Sequence, residues 1–446
     1  VSVRFACLAL PILALPAHAG AQEAADRFKL SGSVRVRYEA IDGQPRAGFD
    51  SEDTLTNIRT QILAEYDAKP IRIGAELFDS RAYGADPGTP ISTNEVNALE
   101  LVQAYVAADL PDALGKGTKL SLMAGRFTLN LGSRRLVAAD DYRNTTSGYT
   151  GLRADFAARG LKGTLIYTLP QVRLPDDPAS LRDNKVHFDR ENFDLQLWGG
   201  VVSKAGAFGR TMAEGSYFHL EERDAPGRPT RDRSLDTFAA RLIAEPAAGK
   251  VDYEVEAIFQ TGGISRSQLA NAPRQKVGAT FIHADIGYSF AGAWKPRLSA
   301  EFDRASGDKP GGRYGRFDTL YGMRRADLAP AGLYNAVGRT NIMTPGVRLE
   351  MTPNKRTDWF AVYRAMWLAA DEDSFSTTGV RDASGRSGDF AGHQIEGRFR
   401  YWLRPEHLRF EFSGVLLAKG RFLRDAPNAP PERWTRYGSF NVTAAF

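Results

Sequence analysis

In the run Val251-Asp252-Tyr253-Glu254-Val255-Glu256-Ala257-Ile258-Phe259-Gln260, apolar residues hold the odd positions, while Asp252, Glu254, Glu256 and Gln260 hold even ones. Successive side chains of an extended strand point to opposite faces, so this segment presents one apolar and one acidic face. The apolar face requires an apolar medium, and the acidic face requires water or counter-charges. The pattern recurs on both sides. Leu30, Val34, Val36 and Tyr38 alternate with Ser31, Ser33, Arg35, Arg37 and Glu39. Leu298, Ala300 and Phe302 alternate with Arg297, Ser299, Glu301 and Asp303, and Ile395, Gly397, Phe399 and Tyr401 with Gln394, Glu396, Arg398 and Arg400.

The spacers between these runs come in two kinds. Asp67-Ala68-Lys69-Pro70, Arg159-Gly160, Ala205-Gly206, residues 246–249, Pro353-Asn354 and Arg404-Pro405 read as tight turns. Long polar links occupy 40–53, 79–95, 127–148, 170–191, 221–234, 261–275, 306–338, 371–392 and 419–435. Short turns alternating with long loops describe a transmembrane antiparallel β-barrel with periplasmic turns and extracellular loops, and the count comes to about eighteen strands. The segments near 119–126, 149–156 and 235–244 are weakly patterned, and alternation through Leu120, Leu122 and Ala124 turns Arg126 outward unless a bulge intervenes. A soluble sandwich would need a domain break for this many strands, and no propeller repeat is present.

Composition agrees. No stretch of 18 apolar residues exists, which excludes helical spans. Mean hydropathy of −0.35 does not exclude a barrel, because lipid-facing and lumen-facing residues average out. The 43 glycines and 11% aromatic content suit tight turns and aromatic girdles.

The two ends point the same way. Arg4, the apolar run Phe5 to Pro16 and Ala17-His18-Ala19 read as a secretory signal over residues 1–19, cleaved near 19–21, with the barrel over 28–446. Cys7, the single cysteine, lies in that signal, so the exported chain would hold no disulfide and no thiolate metal site. Gly438, Phe440, Val442, Ala444 and Phe446 alternate with Ser439, Asn441, Thr443 and Ala445. A last strand ending on Phe resembles the sorting signal of bacterial outer-membrane barrels, which implies handling by the barrel-assembly machinery. A first strand so soon after the signal leaves no room for a plug domain. The net charge of +5 falls to +4 without Arg4, a mild basic bias that suits an anionic solute or lipopolysaccharide and is too weak to indicate nucleic acid.

The polar face is dense in charge. Arg35, Arg37, Arg59, Arg72, Arg153, Arg297, Arg348, Arg364, Arg398, Arg400 and Arg409 fall on it, as do Glu39, Glu65, Glu76, Asp194, Asp252, Glu254, Glu256, Glu301, Asp303, Glu350, Glu396 and Glu411. Arginine forks suit carboxylate ligands and would make a narrow lumen anion-selective. The competing reading is a structural network in which these arginines pair with neighbouring acids. A cluster departs from plain strand logic: Gly125-Arg126-Phe127, then Leu131-Gly132-Ser133-Arg134-Arg135-Leu136, Tyr142-Arg143-Asn144-Thr145 and Gly151-Leu152-Arg153. It reads either as a mouth of the pore or as a basic loop touching lipopolysaccharide phosphates. The longest link carries Ser306-Gly307-Asp308, Phe317-Asp318-Thr319-Leu320-Tyr321-Gly322 and Thr340-Asn341-Ile342; its aromatics predict an ordered loop folded over or into the pore.

These blocks resemble the alginate-export family of outer-membrane porins, from about Phe28 to Phe446, most specifically from Ser306-Gly307-Asp308 to Tyr321-Gly322. The resemblance implies a monomeric barrel of eighteen strands with an arginine-lined constriction for an acidic polysaccharide. It gives Arg126, Arg134, Arg135, Arg143, Asn144 and Arg153 a place on the solute path, to which alternation adds Arg35, Arg59, Arg348, Arg398 and Arg400. The function expected is a passive channel for anionic solutes such as alginate. A general or small-organic-acid porin and a closed structural or adhesive barrel are the alternatives, with an outer-membrane hydrolase behind them. None of the six histidines sits in a serine or metal motif, and no HExxH or phosphate loop is present, so neither enzyme activity, nor cofactor, nor metal is expected.

Overall fold

The computed structural model describes residues 27–140, 142–323 and 327–446. The chain runs through β1 (Phe28–Asp42), β2 (Glu52–Asp67), β3 (Ile71–Tyr83), β4 (Asn97–Pro111), β5 (Lys119–Thr128), β6 (Gly148–Ala158), β7 (Leu161–Pro170), β8 (Leu195–Phe208) and β9 (Thr211–Glu222). It continues through β10 (Ser234–Ala244), β11 (Lys250–Ser265), β12 (Arg274–Ser289), β13 (Arg297–Ala305), β14 (Ile342–Asn354), β15 (Thr357–Trp367), β16 (Phe390–Arg404), β17 (Leu408–Lys419) and β18 (Trp434–Ala445). Two short helices lie in loops, α1 (Pro178–Arg182) and α2 (Arg421–Asp425). Each strand pairs antiparallel with its neighbours in sequence, and β1 pairs with β18, which closes an eighteen-stranded barrel. Closure leaves no strand edge unpaired in lipid, where an unsatisfied backbone group costs several kcal/mol.

The burial pattern is inverted relative to a soluble sheet. On β1, Val34, Val36 and Tyr38 are 40–49% exposed, while Arg35 is 4% and Arg37 1% exposed. The apolar set faces outward and the charged set faces a filled lumen, as period-two alternation requires in a membrane barrel. At the seam, Ser33 pairs with Ala445 and Asp42 with Arg436. The backbones of Gly32 and Phe446 exchange two hydrogen bonds of 3.0 Å. A side chain at Gly32 would meet both the Phe446 ring and Gln61 O at 2.6 Å, so the closing pair requires glycine there.

All nine long links are long loops, and the strand count is the expected one. The turns need correction in detail. Ala205-Gly206 lies inside β8, where the register slips between Lys204 and Phe208, and the turn falls at residues 209–210. Pro353-Asn354 and Arg404 likewise end strands; the turns lie at 355–356 and 405–407. Two further short links, 112–118 and 290–296, escaped the sequence reading although they carry Gly115, Gly117, Gly292 and Pro296. The signal segment expected at residues 1–19 lies outside the described residues.

Near the extracellular end of β3 the ladder to β4 is irregular, with shifts between Glu76 and Leu77 and between Phe78 and Ser80. Asn184, in the loop between β7 and β8, caps the buried backbone of Ala82: Ala82 N donates to Asn184 Oδ1 at 2.8 Å, and Asn184 Nδ2 donates to Ala82 O at 2.7 Å. One amide thus replaces the missing strand partner.

Candidate functional site: a charge-divided lumen beneath two inward loops

Two long loops fold into the barrel rather than away from it. Loop 129–147 joins β5 to β6, and loop 306–341 joins β13 to β14. Leu129, Leu131, Leu136 and Val137 of the first and Leu328, Leu333, Tyr334 and Val337 of the second are buried in one apolar cluster. Burying each such side chain contributes about 1.5–3 kcal/mol. The loops pair directly: Tyr321 N donates to Leu136 O at 2.9 Å, Ala138 N to Tyr321 O at 3.1 Å, and Met323 N to Arg134 O at 3.1 Å. A side chain at Gly322 would strike Arg135 O at 1.8 Å, so the final glycine of the Phe317–Gly322 motif is what lets the backbones approach.

Charged groups fix this insert to the wall. Arg135 is buried and donates to Glu256 of β11 at 2.6 Å and to both Asp327 oxygens at 2.8 Å; it also bonds Glu254. Arg339 closes on the other side of Asp327. Burial alone would depress the Arg135 guanidinium, but Asp327, Glu254 and Glu256 hold it well above its ordinary value. Burial alone would likewise raise the Asp327 carboxyl, and Arg135 and Arg339 hold it well below the usual range. The second anchor is Tyr142-Arg143-Asn144. Asn144 Nδ2 reaches Ile58 O, Arg81 O and Glu95 O at 2.8–3.2 Å. Arg35 and Arg59 donate to Arg143 O at 2.7 and 3.2 Å, and Arg37 donates to Tyr142 O. The Arg143 guanidinium pairs with Asp140 at 3.0 Å.

The Ser306-Gly307-Asp308 and Phe317–Gly322 blocks also fold loops. Ser306 Oγ accepts from Thr280 N at 2.8 Å, and Asp308 Oδ1 accepts from Gly315 N at 3.0 Å. A side chain at Gly307 would meet Asn341 Oδ1 at 2.1 Å. Phe317 packs on Phe281, Asp318 pairs with Arg233 at 2.7 Å, and Tyr321 meets Tyr149 edge-on. Buried Asn341 makes four hydrogen bonds of 2.8–3.0 Å, tying loop 368–389 to loop 306–341.

Beneath this insert, toward the short-turn end, lies a chamber of about 320 Å³ lined by seven arginines and one acid. Arg35 and Arg37 come from β1, Arg348 from β14, Arg398 and Arg400 from β16, Arg409 from β17 and Arg134 from the loop; Glu411 is the acid. Alternation puts these groups on the lumen side, and the register keeps them level: Arg37 opposes Asn441, Glu411 opposes both Asn441 and Arg400, and Arg398 opposes Phe360. Phe360 carries Arg348 and Arg398 over its ring at 4.1 and 4.9 Å, and Tyr142 carries Arg37 at 4.0 Å. Asp358 holds Arg398 and Arg400 from outside the chamber at 3.3 and 2.9 Å. On the extracellular side of the insert a second cavity of about 580 Å³ is lined by Arg228, Arg231, Arg233, Arg316 and Arg339 with Asp176, Glu222 and Asp318.

The sequence-predicted residues therefore separate. Arg134, Arg35, Arg348, Arg398 and Arg400 line the chamber. Arg134 sits in left-handed backbone (φ 63°), and its neighbour Arg135 serves the opposite wall. Arg59, Arg143 and Asn144 seat the loop. Arg126 keeps the outward parity of Ala124, which opposes Leu152, 60% exposed. Its guanidinium is held at the rim by Glu100 and Glu191, each at 2.7 Å, and it lines neither cavity. Arg153 pairs with Asp155 at 2.7 Å and also lies outside the chamber. Sequence reasoning missed Asp327, Arg339 and Met323, which stand in a stretch with no periodic signal.

One carboxyl in this assembly is poised to titrate. Burial, reinforced by the neighbouring Glu39 charge, pushes Glu95 in loop 84–96 up to about 7, against donation from Ser92 and attraction by Arg46. An acid raised in the folded state favours the packed loop while protonated, and that contribution is lost as pH rises from the ordinary carboxyl range through about 7. Because Glu95 O accepts from Asn144, proteolysis of loop 84–96 is expected to be faster at pH 8 than at pH 5.5, a difference Glu95→Gln removes. Equal rates at the two pH values in the unmodified protein would contradict this.

The chain matches the family described as Alginate export over residues 26–435. No curated protein matches it. Among solved structures, Acinetobacter baumannii OccAB3 is 10% identical with a TM-score of 0.61, covering 94% of this chain and 99% of that one. A BenF-like porin from Pseudomonas fluorescens Pf-5 is 12% identical with a TM-score of 0.59, over 94% and 98%. Pseudomonas aeruginosa OccK2 (OpdF) is 13% identical with a TM-score of 0.58, over 94% and 98%. At these identities the likeness is one of fold.

Proposed function

The chain belongs to the alginate-export family of outer-membrane proteins, and from that premise we propose that this outer-membrane channel passes carboxylate-bearing solutes, an acidic polysaccharide or oligosaccharide such as alginate, selected by lumen arginines. One observation carries the reading: seven arginines and a single acid surround the chamber beneath the loop insert. Guanidinium forks replace the hydration of a passing carboxylate, and rings at Phe360 and Tyr142 hold three of the forks in place. Asp358 and Glu350, paired with Arg400 and Arg348, keep the site from binding too tightly to release. The channel is passive, so the direction of flow follows the solute gradient. The same reading takes the protein as a monomer that reaches the membrane through a cleaved leader, is seated by the barrel-assembly machinery and is surrounded by lipopolysaccharide.

The test is the reversal potential of the refolded protein in planar bilayers across a potassium chloride gradient, followed by titration with oligouronates. Anion selectivity with concentration-dependent oligouronate block is the expected result. Cation selectivity, or block by neutral oligosaccharides of equal length to the same degree, would overturn it.

A further inference from the structure

On the outer wall near the extracellular end, several arginines are matched by the chain's own acids. Arg436 meets Asp42 at 2.6 Å, Arg81 meets Asp79 at 2.9 Å, Arg126 meets Glu100 and Glu191 at 2.7 Å, and Arg223 meets Glu221 at 3.1 Å. Around the top of β12 this matching stops. Residues 257–284 and 309–317 contain no Asp or Glu. Arg274, Lys276 and Gly278 take successive positions on the face of β12 that carries exposed Ile282, about 7 Å apart, while Val277, Ala279 and Phe281 are buried on the other. Beyond the end of β13, residues 313–315 carry the sheet on: Tyr314 N donates to Lys276 O at 2.8 Å, and Gly278 N to Tyr314 O at 3.0 Å. That pairing lays Arg313 across Gly278, where an added side chain would meet Arg313 Cδ at 3.1 Å; the Arg274 guanidinium lies likewise over Gly263, 2.9 Å from an added side chain. Arg304 of β13, opposite Ile282, shares this face and is long enough to lift its guanidinium to theirs. Arg274, Lys276 and Arg313 are exposed, and none of the four cationic groups has an ion pair or hydrogen bond among the described residues. The acids on this side of the ladder are engaged elsewhere. Asp236, two strands from Gly278, accepts from Tyr217 at 2.7 Å and pairs with His219 at 2.9 Å; Asp232 accepts from Ser265 at 3.3 Å and from Asp224 N at 3.2 Å.

The height of the patch decides what it faces. Phe238 and Phe259, 48% and 46% exposed, pair across β10 and β11 in the apolar belt, and Thr280 stands opposite Phe259. Gly278 and Lys276 lie one and two same-face steps above Thr280, at the level of lipid head groups rather than acyl chains. We infer that this patch seats a phosphorylated glycolipid of the outer leaflet, with its phosphates on Arg274, Lys276 and Arg313 and its acyl chains along Phe259 and Ile282. Phosphate oxygens supply the acceptors that the chain withholds here, and acyl chains meet the apolar face just below. The inference rests on the outer-membrane placement of the barrel and is independent of which solute the lumen passes.

The experiment is titration of the refolded full chain, in dodecyl maltoside micelles, with diphosphoryl and with dephosphorylated lipid A, followed by native mass spectrometry. The unmodified protein is expected to bind the diphosphoryl form about a hundredfold more tightly, the sum of three phosphate-facing cations. The triple variant Arg274→Gln, Lys276→Gln, Arg313→Gln should lose that preference to within about threefold. Its single-channel conductance should stay unchanged, which reports an intact barrel, since none of the three residues lines either arginine-rich cavity. Arg436→Gln, at a site that already has its own acid, should alter neither affinity by more than about twofold. Equal binding of the two lipids by the unmodified protein, or a triple variant that keeps the preference, would overturn the inference. Displacement of diphosphoryl lipid A by an equal concentration of soluble oligouronate would also overturn it and assign the patch to a soluble polyanion.

Discussion

Arg135→Ala is expected to unseat one end of loop 129–147. The substitution leaves Glu254, Glu256 and Asp327 converging on a buried site, with Arg241 at 2.9 Å from Glu254 and Arg339 beside Asp327 as the remaining cations. Removing one partner of a buried ion cluster costs roughly 3–5 kcal/mol, because the survivors keep their desolvation and lose their compensation. The loop keeps its apolar packing and its second anchor at Tyr142-Arg143-Asn144, so a loss of this size frees its Arg135 end and widens the lumen beside β11. Single-channel conductance should rise several-fold, and the folded band in unboiled gel electrophoresis should disappear at a lower temperature. Arg135→Lys should restore only part of the effect, since one ammonium cannot serve Asp327 and the β11 carboxylates as a planar fork does. Unchanged conductance in Arg135→Ala would show that the apolar cluster and the Tyr142–Asn144 anchor hold the insert without it.

The second large effect concerns selection. Replacing Arg398, Arg400 and Arg409 together by glutamine halves the net charge of the arginine chamber, from seven arginines less Glu411 (+6) to four less Glu411 (+3). Each lost charge-assisted hydrogen bond contributes about 1.5–3 kcal/mol. Oligouronate block should therefore weaken by roughly a hundredfold or more, with the anion-over-cation permeability ratio falling several-fold. Arg153→Gln is the control: its guanidinium pairs with Asp155 outside the chamber, and its loss should leave both quantities within about twofold. If the control and the triple variant behave alike, selection resides elsewhere than the arginine chamber.

How much of this could be read from the chain follows from which positions obey the strand period. Arg35, Arg37, Arg348, Arg398, Arg400 and Arg409 stand opposite apolar neighbours in plain alternation, so their place in the lumen was legible before any coordinates. Alternation gave the strand parity of Arg126, while its guanidinium is held at the rim by Glu100 and Glu191, partners that neither the period nor the motif indicates. The turn misplacement at Ala205-Gly206 has a local cause: a bulge carries the same glycine signature as a turn, with Gly206 at φ 63° and Gly209 at φ 62°. The loop insert was only partly legible. Its aromatics predicted order, but no period links Arg135 to Glu254 and Glu256, more than a hundred residues away, or Asp327 to either. Whether an arginine lines a path or fastens a loop depends on those long-range partners, which is why adjacent Arg134 and Arg135 could not be told apart.

The seam where β1 meets β18 bears on the order in which the molecule assembles. Arg37 of β1 donates to Asn441 of β18 at 2.6 Å and to Tyr142 O, while the Tyr142 hydroxyl meets that of Tyr437, also on β18, at 3.1 Å. The inward loop thus touches the first and last strands at once, and this part of its binding surface does not exist until both are in register. A barrel that is still open offers the loop its β2, β3 and β11 contacts but not its seat across the seam. Seated there, the loop works as a latch: reopening the seam also means pulling Tyr142 off both strands.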